Sequence, residues 1–208
     1  MKKYKPMKRD ELLRSSSPEI QKLFDDLNQL KKELSLDYKA KLNRSLPFSE
    51  MLFDRWEKAK SLSFGEGTSI YDDVLIFGNV TVGKNTWVGP YVILDGSGGL
   101  QIGDNCSISA GVQIYSHNTV EWAISAGQAP YEYEATKIGN NCFIGPQSII
   151  QNGVTIGDHC VVGANSFVNK CVEPFSILGG TPAKKIGEVI ISEVSGKINF
   201  VYYNSKPM

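Results

Sequence analysis

His117 is one of two histidines in 208 residues, and it stands where a regular pattern in the sequence stops. Imidazole takes and returns a proton near neutral pH, so a histidine at such an edge suits general-base chemistry on a hydroxyl or an amine. The plainer alternative is a surface histidine at the start of a loop. The other, His159, falls on a corner of the same pattern and reads as a solvated turn residue. Asp95 precedes Gly96 and is either a turn former or an acid that binds a polar group. Glu132 and Glu134, after His117, could hold hydroxyls or orient the imidazole, or could simply be solvated acids. Trp122, Tyr131 and Tyr133 beside them could stack on a flat ligand or anchor the segment. Cys106, Cys142, Cys160 and Cys171 include no CxxC pair, which argues against a zinc site and for small residues in a reducing compartment.

What must position these groups is a repeat. From Ile138 to Glu173 the chain divides into six-residue units: IGNNCF, IGPQSI, IQNGVT, IGDHCV, VGANSF, VNKCVE. Ile138, Ile144, Ile150, Ile156, Val162 and Val168 open them, and four residues later come Cys142, Ser148, Val154, Cys160, Ser166 and Val172. A fixed period of six with this content points to a β-helix, three units to each triangular turn. The openers and the residues four later must face inward. The positions between them, such as Asn140-Asn141 and Asp158-His159, fall at corners where positive φ suits Asn and Asp.

The repeat begins near Ile70 and continues through Ile76, Val82, Val88 and Leu94; DGSGGLQ then inserts two extra residues before Ile102, Ile108 and Ile114. Between about 118 and 137 there are no units, which reads as a long loop thrown out of the prism, and such loops usually carry function. Fourteen openers make about five turns, a prism about 24 Å tall at the strand spacing. If the loop is a simple excursion, Cys106, Cys142 and Cys160 stack on one side as three unbridged thiols.

Outside the repeat, Ser17-Pro18-Glu19 caps an amphipathic helix over 18–34 carrying Ile20, Leu23, Phe24, Leu27, Leu30 and Leu34. A second helix is expected from Phe48 to Lys60. VIISEVSGKINFVYY alternates about Ser195-Gly196 as a β-hairpin that caps or leaves the prism, and an open β-helix end needs a cap of some kind. The expected organisation is a helical segment over 1–65, the β-helix over 66–187 and a hairpin tail over 188–208. Twenty-two basic and 22 acidic residues cancel, which argues against a nucleic-acid or anionic-membrane partner. MKKYKPMKRD is basic without an apolar run behind it, and no window has the ~18 apolar residues of a membrane span. The protein is expected to be soluble and cytoplasmic.

The hexads, the SHN ahead of the loop, IGNNCFIGP after it and GGTPAKKIG at the exit resemble the hexapeptide-repeat acyltransferases. The branch is that of the galactoside, maltose and nodulation-factor acetyltransferases and the surface-polysaccharide O-acetyltransferases. The resemblance covers about 70–187. It implies a left-handed parallel β-helix, a homotrimer with active sites between subunits, and acetyl-CoA as donor with no metal. It puts His117 at the catalytic base, for direct attack of a sugar hydroxyl on the thioester, and Asp95 at an acceptor-binding acid. It puts Phe143 at an aromatic wall of the donor tunnel, and Gly145 and Ala164 at small positions along the pantetheine arm. Asn169, Lys170 and Lys184 fall near the nucleotide end of CoA, although Lys184 with Lys185 also reads as a solvated pair. An Asn that some relatives carry on the turn before Asp95 is missing, so a backbone N–H is the expected oxyanion donor. N-acetylation of a nucleotide-linked amino sugar is the alternative reaction. A γ-type carbonic anhydrase would need three histidines on zinc, and two exist.

Overall fold

A computed structural model describes residues 16–192 and 194–203; the basic stretch at the start of the chain lies outside them. The chain divides into two compact units between Leu52 and Phe53.

The first unit holds α1 (Pro18–Leu42) and α2 (Phe48–Leu52). Pro18 occupies the first turn of α1 and Glu19 supplies an early acid. The apolar spacing ends at Leu34, but good helix formers continue, so the helix runs eight residues past the expected stop. Asn43 ends it in the left-handed conformation, its N–H reaching Lys39 O at 3.2 Å. The expected single helix over 48–60 is two helices, because Asp54 breaks it as an N-cap. Its carboxylate accepts from the N–H groups of Trp56 and Glu57, both at 2.9 Å, and starts α3 (Arg55–Ser61).

The second unit is a parallel β-helix, in keeping with the left-handed prism expected. Its first side stacks β1 (Ser69–Ile70), β3 (Trp87–Val88), β5 (Ser107–Ile108), β10 (Phe143–Ile144), β13 (Val161–Val162) and β15 (Ser176–Gly179). The second stacks the front of β2 (Leu75–Val82), the front of β4 (Ile93–Ile102), β6 (Gln113–Ile114), β11 (Ile149–Ile150) and β14 (Phe167–Val168). The third stacks the ends of β2 and β4, then β9 (Thr136–Ile138), β12 (Thr155–Ile156) and a bridge from Ile156 to Val172. That makes five closed turns, with β15 opening a sixth. The count of about five stops short because the period breaks after Val168: Val172, four residues on, takes the opener place beside Ile156, and Leu178 follows beside Val162.

Every opener from Val82 to Val168 is buried, and so are the residues four later in the Ile138–Glu173 run. Asn85, Asn105, Asn141 and His159 hold the corners at φ of 51–59°. Ile102 pairs with Ile138 across the long loop, so the excursion returns in register. Cys106, Cys142 and Cys160 precede the stacked strands β5, β10 and β13, are buried and unbridged, and form the expected thiol ladder. Each Sγ is positioned to donate to a carbonyl one turn on: Gly139, Gly157 and Glu173.

Both ends of the prism are closed. At one, Ala59 of α3 and Phe64 join the core, the Arg55 guanidinium sits 3.6 Å from the Tyr71 ring centroid, and Lys58 Nζ donates to Tyr71 O (3.0 Å) and Asp72 O (2.6 Å). At the other, β15 pairs antiparallel with β16 (Lys184–Ile191), and β16 with β17 (Ile198–Tyr202), the expected hairpin. Among the described residues no helix is long and apolar enough to cross a membrane.

Candidate active site

The two-residue insertion and the long loop meet at one corner. β4 pairs with β2 as far as Gly78↔Gly96 and resumes at Val80↔Leu100, so the surplus at 97–99 bulges outward. Asp95 lies immediately before that bulge and is 1% exposed. Its Oδ1 accepts the Ser97 N–H at 3.0 Å and its Oδ2 accepts the Ser116 N–H at 3.1 Å. His117 Nδ1 meets the same Oδ2. Burial by itself raises a carboxyl, but the Ser97 hydroxyl, the N–H groups of Ser97 and Ser116 and the His117 ring together outweigh it and hold Asp95 at about 2. An ionised carboxylate can only accept, so in the neutral imidazole Nδ1 carries the proton and Nε2 the lone pair. Such a pair can act as an oriented base.

Tight backbone packing fixes this corner. Gly98 N–H donates to Ser116 Oγ at 2.8 Å, and a Cβ on Gly98 would collide with the Ser116 carbonyl oxygen and come within 2.8 Å of Glu134 N. Ser116 is fully buried, and its carbonyl accepts the Glu134 N–H at 2.9 Å. The loop is more ordered than an irregular excursion. It carries β7 (His117–Asn118), a short helix α4 (Val120–Ile124) and β8 (Glu132–Tyr133) paired antiparallel with β7. His117 lies between two tyrosines, with ring centroids 6.5 Å from Tyr115 and 6.2 Å from Tyr133. Burial, and then the Asp95 charge, push the Tyr115 hydroxyl up, so it stays protonated and donates to Gln113 Oε1 at 2.7 Å.

His117 opens onto a groove of about 440 Å³ lined by Tyr115, Asn118, Val120, Ile149, Gln151 and Phe167 among others. Asp95, expected to bind an acceptor, is enclosed against the imidazole. Neither loop glutamate takes the orienting position: Glu132 accepts from Asn118 Nδ2 at 2.6 Å, and the Glu134 carboxylate lies over Gly153. Phe143, Gly145 and Ala164 do not line this groove. Phe143 stands exposed on the neighbouring side of the prism, and Gly145 and Ala164 follow at successive stacked corners. Gly145 has a packing reason to be small, since a Cβ there would sit 2.6 Å from Ala164 N. Asn169, Lys170 and Lys184 line a separate hollow of about 400 Å³ with Cys171, Glu173 and Lys185. Among the described residues no cluster of three His, Cys, Asp or Glu is placed to hold a metal ion.

The groove residues Ile149 and Phe167 were not singled out in the sequence. The repeat register contains them, because Gln113, Ile149 and Phe167 are the outward neighbours of the stacked openers Ile114, Ile150 and Val168.

Two family models match the prism: bacterial transferase hexapeptide (six repeats) over 135–170, and hexapeptide repeat of succinyl-transferase over 78–116. The chain is 30% identical over 139 residues to the dTDP-4-amino-4,6-dideoxy-D-glucose acyltransferase of Escherichia coli, covering 62% of this chain and 72% of that one. The chain belongs to the hexapeptide-repeat transferases. The chain is also 33% identical over 129 residues to the galactoside O-acetyltransferase of Escherichia coli strain K12, covering 52% of its own length and 64% of that relative's, under two thirds. Among solved structures it resembles a mutant form of AntD, an N-acyltransferase from Bacillus cereus, in complex with dTDP and coenzyme A. There the identity is 26% and the TM-score 0.55, over 60% of this chain and 72% of the other.

Proposed function

We propose that the protein is an acyltransferase that moves an acetyl group from acetyl-CoA to a hydroxyl of a sugar or a surface-polysaccharide precursor. The observation that carries this is the His117–Asp95 pair at the mouth of the groove. Nε2 of His117 takes the proton of the acceptor hydroxyl as its oxygen attacks the thioester carbonyl. Asp95 holds the imidazole in the tautomer that does this and stabilises the imidazolium that results. When the tetrahedral intermediate collapses, the C–S bond breaks and His117 returns the proton to the CoA sulfur. A backbone N–H is proposed for the oxyanion. No cysteine is proposed as a covalent carrier: Cys106, Cys142 and Cys160 are buried in the ladder, and Cys171 is not in the His117 groove.

The donor residues are proposed to work across a subunit boundary in a homotrimer. Phe143 and the Gly145–Ala164 corner do not line the His117 groove within one chain, so a second copy would bring such a wall opposite His117. Asn169, Lys170 and Lys184 suit the phosphate end of CoA, where cations and amide donors meet anionic oxygens. Four unbridged cysteines support a cytoplasmic setting. The chemistry is assigned to 66–187, with the helical segment and the hairpin tail as accessories.

A second reading is N-acylation of a nucleotide-linked amino sugar, favoured by the 72% coverage of the dTDP-amino-sugar enzyme. An amine needs a weaker base than a hydroxyl does. CoA release measured against sugars, amino sugars and nucleotide-linked amino sugars, with mass spectrometry of the product, separates the two. Transfer to hydroxyl acceptors supports the first reading, transfer only to amines replaces it with the second, and no release with any of them refutes both.

A further inference from the structure

The helix α1 carries a pattern that the proposed chemistry does not use. Ile20, Leu23, Leu27, Leu30 and Leu34 recur at alternating steps of three and four, the a and d positions of a heptad. The first four are 39–54% exposed, and no residue of α1 is buried. The outermost heptad positions hold Asp25, Lys32 and Lys39, and off the seam the Ser35 hydroxyl lies 4.0 Å from Met51 Sδ of α2. A helix whose apolar residues follow a strict 3.5 period specifies another helix as its partner.

We infer that α1 packs along this seam against α1 of other copies of the chain, parallel and in register. The flanking charges choose the direction. In a parallel pair, Asp26 at position g faces Lys31 at position e of the neighbour. An antiparallel pair would set the g positions Glu19, Asp26 and Glu33 against one another, acid on acid. Rotational symmetry about a trimer axis imposes the same parallel direction. Five seam positions form a short coil that associates weakly alone, so the inference rests on the proposed assembly to hold the helices at high effective concentration.

The test uses the full chain with Cys171→Ser, which removes the exposed thiol, and single cysteines at Leu27→Cys, Leu30→Cys and, on the outer face, Lys32→Cys. Each is treated with a short bis-maleimide, and the native mass is measured by analytical ultracentrifugation. The expected result is a three-chain mass for all, with chains joined through positions 27 and 30 and not through 32. A three-chain mass with no joining at 27 and 30, or equal joining at 32, overturns the inference and leaves the trimer standing. A one-chain mass overturns both.

Discussion

Replacing Asp95 by Asn keeps the shape of the side chain and removes its charge. The carboxylate now accepts from the Ser97 N–H, the Ser116 N–H and His117 Nδ1. An amide offers one oxygen and puts two donor hydrogens where the second oxygen was, so the donors must face either the Ser97 N–H or the Ser116 N–H and Nδ1 together. If they face Nδ1, the ring moves its proton to Nε2 and the base is lost. Oriented general-base catalysis is worth on the order of 10²–10⁴ in rate, and we expect a loss in kcat within that range, about 3–5 kcal/mol of transition-state stabilisation. The affinity for acetyl-CoA should hardly move, because Asp95 does not reach the groove surface. Stability changes as well. The folded carboxyl titrates at about 2, below the usual ~3.9 of an unfolded chain. Because the folded value is depressed, the ionised form contributes about 2 kcal/mol of stability above pH ~4. That contribution is lost as the pH falls towards 2. Urea denaturation should therefore show the gap between wild type and D95N at neutral pH closing over that window. Steady-state CoA release and titration of acetyl-CoA binding read the catalytic part. A D95N enzyme that keeps kcat within about threefold of wild type would refute the oriented-base argument.

Three further outcomes follow from the packing. Gly98→Ala places a Cβ against the Ser116 carbonyl and Glu134 N; backbone cannot give way cheaply, so a loss of about 1–3 kcal/mol in chemical denaturation is expected. Ile144→Ala empties a fully buried position in the middle of the first side and should cost about 2–5 kcal/mol. Thiol titration of the native protein should find one reactive cysteine, Cys171, and four after unfolding, since Cys106, Cys142 and Cys160 are buried; three fast thiols in the native state would break the ladder.

The prism was legible because its rule is local. An inward aliphatic every six residues fixes which side chain stacks on which, and Ile102 still finds Ile138 across the loop. His117 was legible for the same reason, as the residue at which the rule stops. Asp95 was visible as a candidate but not in its place. It sits 22 residues from His117, and the geometry of the bulge at 97–99, which a residue count does not specify, decides whether its carboxylate points to solvent or to the ring. Apolar spacing ends α1 at Leu34 and is silent about helix formers such as Lys39, Ala40 and Lys41 that carry it to Leu42. The single helix over 48–60 failed on one residue, Asp54, whose carboxylate caps better than it propagates. The separation of Phe143 from the His117 groove could not be read from spacing either, since it depends on which side of a triangle faces a second copy.

His117, held by Asp95, is proposed as the base for acetyl transfer from acetyl-CoA. Its most direct test compares wild type with His117→Ala in acetyl-CoA-dependent CoA release, using an acceptor that the wild type turns over and with acetyl-CoA affinity measured alongside by calorimetry. Turnover should fall by about 10²–10⁴ while acetyl-CoA binds with nearly unchanged affinity; turnover preserved in the alanine variant would rule His117 out as the base.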